Sequence, residues 1–156
     1  MKEKSAVKII HYCWFGPRPL SKLAIKCMES WKKFLPDYEI KLWNEDNFDF
    51  TQNVFVRQAY ENKKWAFVSD YARLKALSEY GGIYLDTDME ITKDISHIIE
   101  DDCFLGVEDS GLVNAAVIGA KQPHNKFIDD LISQYDNLDK FDIEDIYAMS
   151  IPRQIT

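Results

Sequence analysis

The chain has 156 residues, 46% hydrophobic and 13% aromatic, with a formal net charge of −7. That length supports one domain with a real core, and that composition excludes a disordered chain. The negative balance argues against broad nucleic-acid binding and against a basic membrane anchor, and no segment approaches the roughly 20 apolar residues of a membrane span.

Residues 7–14 read as a first strand that runs into the loop Phe15-Gly16-Pro17-Arg18-Pro19. A loop at the carboxyl end of a first strand is a common ligand position in α/β folds. Leu23, Cys27, Met28, Trp31, Phe34 and Leu35 then recur at helical spacing, with lysines opposite and Pro36-Asp37 as the stop. Residues 38–43 form the second strand. Strand, helix and strand within about 35 residues make a βαβ unit and predict a parallel sheet. The polar loop Asn44-Glu45-Asp46-Asn47 is either a simple turn or a contributor to a nucleoside site. A short helix is expected over residues 52–62 and a longer one over residues 65–80. The longer one carries a stripe of Phe67, Tyr71, Leu74 and Leu77, with Gly81 in the position of a left-handed cap.

The segment Tyr80-Gly81-Gly82-Ile83-Tyr84-Leu85-Asp86-Thr87-Asp88 carries the chemistry. On an extended chain, residues two apart face the same way, so Asp86 and Asp88 converge with Cα atoms roughly 6.5–7 Å apart. Two such carboxylates repel unless a cation or a proton sits between them. Hard oxygen ligands suit Mg²⁺, Mn²⁺ or Ca²⁺, and a two-carboxylate site leaves positions for substrate phosphates and water. A solvated strand end is the plain alternative. Asp70 and Arg73, three apart on the preceding helix, share a face as a surface ion pair or as a polar pair aimed at a sugar. Two further strands are expected at 103–107 and 113–119, continuing the sheet. A helix over 125–138 comes next, with Ile128, Leu131, Ile132, Tyr135 and Leu138 on one side. The stretch from Asp139 is acidic.

The pattern Ser69-Asp70-x-x-Arg73, Leu77, Gly81-Gly82-x-Tyr84-x-Asp86-x-Asp88 resembles the DXD-containing glycosyltransferases of family 32. These are related to yeast initiating mannosyltransferases and bacterial capsular polysaccharide enzymes, and distantly to the catalytic domains of clostridial glucosylating toxins. Ile10-His11-Tyr12-Cys13-Trp14-Phe15-Gly16 and Tyr38-Glu39-Ile40-Lys41-Leu42-Trp43-Asn44, after a helix containing Ser30-Trp31, match as well. Together the matches cover residues 7–120.

The resemblance implies a GT-A-type α/β fold, with a mostly parallel central sheet flanked by helices, in a single domain over 1–156. It implies a nucleotide-sugar donor, UDP favoured over GDP, a divalent cation (Mn²⁺ or Mg²⁺), a saccharide acceptor and retention at the anomeric carbon. It also implies a role in bacterial surface polysaccharide synthesis. Carried over by position, Asp88 is the direct metal ligand, and Asp86 contacts the ribose or sugar and reaches the metal through water. Asp70 and Arg73 hold sugar hydroxyls, Trp14 stacks on the base, and Tyr84 lies near the donor. Trp14 also reads as a core aromatic. Relatives usually continue into a His- and Trp-containing segment that closes over the diphosphate. Nothing here matches it, so a C-terminal portion is expected to be lacking. A nucleotide-sugar-binding module without turnover is then the alternative, and a scaffold in an assembly complex a third.

Other readings fit less well. A haloacid-dehalogenase-type phosphatase wants Thr or Val where Glu90 stands, and an EF-hand loop counted from Asp86 needs Gly where Ile91 stands. Cys13, Cys27 and Cys103 are odd in number and widely spaced, which suggests a reducing, cytoplasmic location. The lysine-bearing N-terminus shows no secretory signal. Peripheral membrane contact stays compatible with the surface. His11 reads as a structural hydrogen-bonder beneath the nucleotide pocket, and His97 and His124 as surface residues. No trio of ligands suggests zinc.

Overall fold

The structure, a computed structural model, describes residues 3–142 and 149–155. Its elements in chain order are β1 (Ile9–Cys13), α1 (Lys22–Phe34), β2 (Glu39–Trp43), α2 (Val54–Glu61), α3 (Trp65–Tyr80), β3 (Gly82–Leu85), α4 (Ser96–Ile99), β4 (Cys103–Val107), β5 (Val113–Ala120), α5 (Lys126–Asp136) and α6 (Ile151–Ile155). The acidic run expected after Asp139 falls partly on residues 143–148, outside the described residues.

The five strands form one sheet in the order β2-β1-β3-β5-β4. β1 pairs in parallel with both β2 and β3, as the βαβ reading requires. The share of parallel pairing is smaller than expected, because β5 runs antiparallel to both β3 and β4. Only residues 108–112 join β4 to β5, and so short a connection cannot make a parallel crossover.

Successive side chains of a strand alternate between the two faces. Ile10, Tyr12, Ile83 and Leu85 pack with Trp31, Cys27 and Leu35 of the α1 side. Cys13 and Tyr84 pack on the other face with α2, α3 and α5. Asn125 caps α5 by accepting from the amides of Phe127 and Ile128, and Ser21 caps α1 by accepting from Ala24.

Two local expectations change. α3 is buried on most sides rather than along one stripe. Val68, Ala72, Arg73, Ala76 and Ser78 are enclosed as well as Tyr71, Leu74 and Leu77, while Phe67 is half-buried. The helix is held between β1, α2 and α5, so its apolar residues need not keep to one face. Gly81 has a positive φ of 71° but an extended ψ of −171°, so the chain leaves α3 straight into β3 instead of through a left-handed cap. Gly82 is the tighter position: at φ 105°, a Cβ there would lie 2.5 Å from the Ile9 carbonyl oxygen.

Candidate active site

β1 and β3 both end at one cavity of about 870 Å³. The loop after β1 forms one wall. The Trp14 amide donates to the Trp43 carbonyl at 3.0 Å, and its indole Nε1 donates to the Arg18 carbonyl at 2.7 Å. The indole is thus fixed by its own turn and lines the cavity rather than the core. Gly16 sits at φ 91°, its amide donates to Glu45 Oε1 at 2.6 Å, and a Cβ there would meet the Trp65 indole at 2.8 Å. The 44–47 loop is a turn, with Asn47 Nδ2 donating to the Leu42 carbonyl at 2.7 Å. Through Glu45 it anchors the Trp14 loop.

The opposite wall is the first half of α3 and the end of β3. Arg73 is 5% exposed and reaches several acceptors at once. Nη1 donates to the Ala115 carbonyl at 2.5 Å, and Nη2 donates to Ser69 Oγ at 2.8 Å. Nη2 also lies 3.3 Å from Asp70 Oδ1 and 3.3 Å from Asp86 Oδ1. The guanidinium stacks 4.3 Å over the Tyr84 ring, and the Tyr84 hydroxyl donates to Asp86 Oδ1 at 2.7 Å. One oxygen of Asp86 is therefore held from two sides.

Asp86 and Asp88 reach the cavity together, but not on an extended strand. β3 ends at Leu85, and the Met89 amide donates to the Asp86 carbonyl at 3.0 Å, closing a turn over residues 86–89. α1 anchors the chain on the far side of this turn. Trp31 Nε1 donates to the Met89 carbonyl at 2.7 Å, and Ser30 Oγ accepts from the Ile91 amide at 2.9 Å. Asp88 is exposed. Among the described residues its carboxylate joins no ion pair, and no three His, Cys, Asp or Glu side chains cluster for a metal. Asp86 and Asp88 are two hard oxygen donors on one cavity. That donor set suits Mg²⁺ or Mn²⁺ and not a closed zinc site.

Asp70 and Tyr84 are both held by protein partners. Asp70 does not line the cavity; its carboxylate accepts from the Ile151 amide of α6 and pairs with Arg73. Burial raises its pKa to about 6, with Arg73 pulling down and Asp86 pushing up. It stands one turn before Arg73, and its carboxylate meets the guanidinium. Tyr84 lies in the cavity wall at 1% exposure, and its hydroxyl is already shared with Asp86 and Ser69.

His11 is fully buried and makes the structural bonds expected of it. Trp43 Nε1 can only donate, so it fixes His11 Nδ1 as the acceptor at 3.0 Å. Nε2 then carries the proton and donates to the Gly81 carbonyl at 2.8 Å. Burial lowers the His11 pKa to about 4. His97 and His124 are exposed. Burial pushes the Cys13 thiol, also on the cavity wall, up to about 12, which leaves it a poor nucleophile.

Arg18, Lys63, Trp65 and Ser69 also line the cavity, and the sequence alone assigns none of them a role. Ser69 was legible as the residue four before Arg73. The other three depend on how the loop after β1 packs on the α2–α3 turn, which no local pattern encodes.

Comparison with known proteins agrees with this architecture. Residues 21–105, more than half the chain, match the family described as the glycosyltransferase sugar-binding region containing the DXD motif. Glucan organizing enzyme 1 of Cryptococcus neoformans var. grubii is 35% identical over 88 residues, which is 49% of this chain and 24% of that protein. The chain thus spans about a quarter of that relative's length. Among solved structures, the PaToxG glycosyltransferase superposes with a TM-score of 0.70 at 19% identity, covering 96% of this chain and 66% of the other. A transferase mutant superposes at 0.64 and 13% identity, covering 91% and 82%. At these identities the structural likeness shows the fold alone. Among the described residues no helix is long and apolar enough to cross a membrane.

Proposed function

Because the chain belongs to the glycosyltransferases whose sugar-binding region contains a DXD motif, we propose that it transfers a sugar from a nucleoside-diphosphate donor to a saccharide acceptor with retention of configuration. The observation that carries this reading is the convergence of Asp86 and Asp88, a fixed Trp14 and a buried Arg73 on one cavity at the carboxyl ends of β1 and β3.

Asp88 and Asp86 would hold Mn²⁺ or Mg²⁺, which supplies positive charge to the diphosphate leaving group. Trp14 stacks on the base, uracil by the resemblance of its motif. Arg73 sets the Asp86 carboxylate and meets the sugar from the cavity floor. Asp70 acts one step back, balancing the Arg73 charge. Tyr84 orients Asp86 by its hydrogen bond. Positioning of this kind is a large share of catalysis. Burial makes the Cys13 thiol a poor nucleophile, and attack by the acceptor hydroxyl itself, front-face and with retention, is the route that the sequence resemblance implies. Synthesis of a cell-surface polysaccharide in the cytoplasm fits the sequence resemblance.

Calorimetric titration with UDP and GDP, in Mn²⁺ and in chelator, tests the donor site. The expected result is metal-dependent binding of UDP that Asp88→Ala abolishes. Failure of a folded sample to bind either nucleotide would remove the proposal.

A further inference from the structure

The turn between α2 and α3 contains a lysine where a glycine belongs. Asn62 ends α2. The Lys63 amide donates to the Tyr60 carbonyl at 2.9 Å, and the Lys64 amide donates to the Ala59 carbonyl at 2.9 Å. That pair of bonds is the Schellman ending of a helix, whose residue in the Lys63 position is left-handed and ordinarily glycine. Lys63 adopts φ 56° there, a backbone that a side chain disfavours. Glycine would make the same turn more easily.

The side chain gives the lysine a use that glycine lacks, because it lines the same cavity as Asp86 and Asp88. The cavity wall carries three cations. Arg73 is committed to Asp70, Asp86, Ser69 and Ala115. Arg18 and Lys63 remain, and neither takes part in any ion pair among the described residues. A nucleoside diphosphate brings more negative charge than one divalent cation between two carboxylates neutralises, so free cations on the wall matter.

We infer that Lys63 binds the diphosphate of the donor, and that its left-handed backbone is kept for that contact at the expense of the turn. The inference rests on the nucleotide-sugar reading and extends it to a residue outside the DXD motif. Lys63 would contribute as a point charge, so its effect should be strongest at low ionic strength.

The test compares wild type with Lys63→Gly, Lys63→Arg and Asp88→Ala by thermal unfolding and by titration with UDP in Mn²⁺. Lys63→Gly should melt at or above the wild-type temperature, yet bind UDP roughly tenfold more weakly at low salt, with the gap narrowing as salt is added. Lys63→Arg, which keeps the charge, should stay close to wild type in binding. UDP binding by Lys63→Gly equal to wild type would overturn the Lys63 assignment and leave the nucleotide reading standing. A clear fall in the melting temperature of Lys63→Gly would contradict the backbone argument and overturn it too. Absence of UDP binding by the folded wild type would overturn both readings together.

Discussion

Tyr84 and Asp86 are joined by a 2.7 Å hydrogen bond from the phenol to Oδ1, with Tyr84 in β3, Asp86 just beyond its end and the phenol ring enclosed beneath Arg73. The bond fixes which carboxylate oxygen faces the guanidinium and leaves Oδ2 for a ligand. Outer partners of this kind set the orientation and affinity of a metal-binding carboxylate. Tyr84→Phe keeps the ring and its packing, so the fold should survive. Mn²⁺-dependent UDP binding should weaken by about tenfold, read by calorimetric titration of the folded variant. Unchanged affinity would show that the phenol does not govern Asp86.

Arg73 should not tolerate lysine. Its guanidinium spans the Ala115 carbonyl, Ser69 and two carboxylates, and an ammonium cannot reach them all. Arg73→Lys should lower stability by about 2–4 kcal/mol and abolish donor binding, whereas Arg73→Ala, which strands buried carboxylates, should cost about 3–5 kcal/mol. Urea unfolding measures both.

Two buried groups tilt stability with pH in opposite directions. His11, lowered from 6.5 to about 4, binds its proton more weakly when folded. Its contribution is present above pH 6.5 and is lost as pH falls toward 4. Asp70, raised from 3.8 to about 6, binds its proton more tightly when folded, so its contribution is present below pH 3.8 and is lost as pH rises through 6. Between pH 4 and 6 the slopes oppose each other. Asp70→Asn leaves the His11 slope alone. Relative to wild type, the variant should therefore gain about 1.4 kcal/mol for each pH unit climbed in that window. Denaturant unfolding at several pH values reads the difference.

Gly16→Ala should be felt at both levels. The position combines φ 91° with an indole that a Cβ would meet at 2.8 Å. A loss of about 1–3 kcal/mol is expected, together with weaker UDP binding, because the same turn holds Trp14. Thermal unfolding and tryptophan fluorescence on UDP addition check it.

Much of this was legible in the sequence because its signals were local. The helix over 65–80 and the double glycine behind it follow from composition and spacing, and the structure gives α3 and β3 at those positions. The likeness of the 69–88 pattern to a sugar-transferase family agreed with the family match over residues 21–105. Less was visible where distant segments meet. The antiparallel return of β5 against β3 depends on long-range pairing. The turning of Asp70 toward Ile151 depends on a segment more than eighty residues away. The turn at 86–89 broke the extended-strand assumption, yet Asp86 and Asp88 still reach one cavity, because α1 fixes the chain beyond them.

The most direct test of the central claim is the release of nucleoside diphosphate from a panel of UDP- and GDP-sugars with Mn²⁺, with and without saccharide acceptors. At least one donor, a UDP-sugar first, should be turned over by wild type and not by Asp88→Ala. Metal-dependent nucleotide binding with no turnover of any donor would contradict the claim and leave a nucleotide-sugar-binding module in its place.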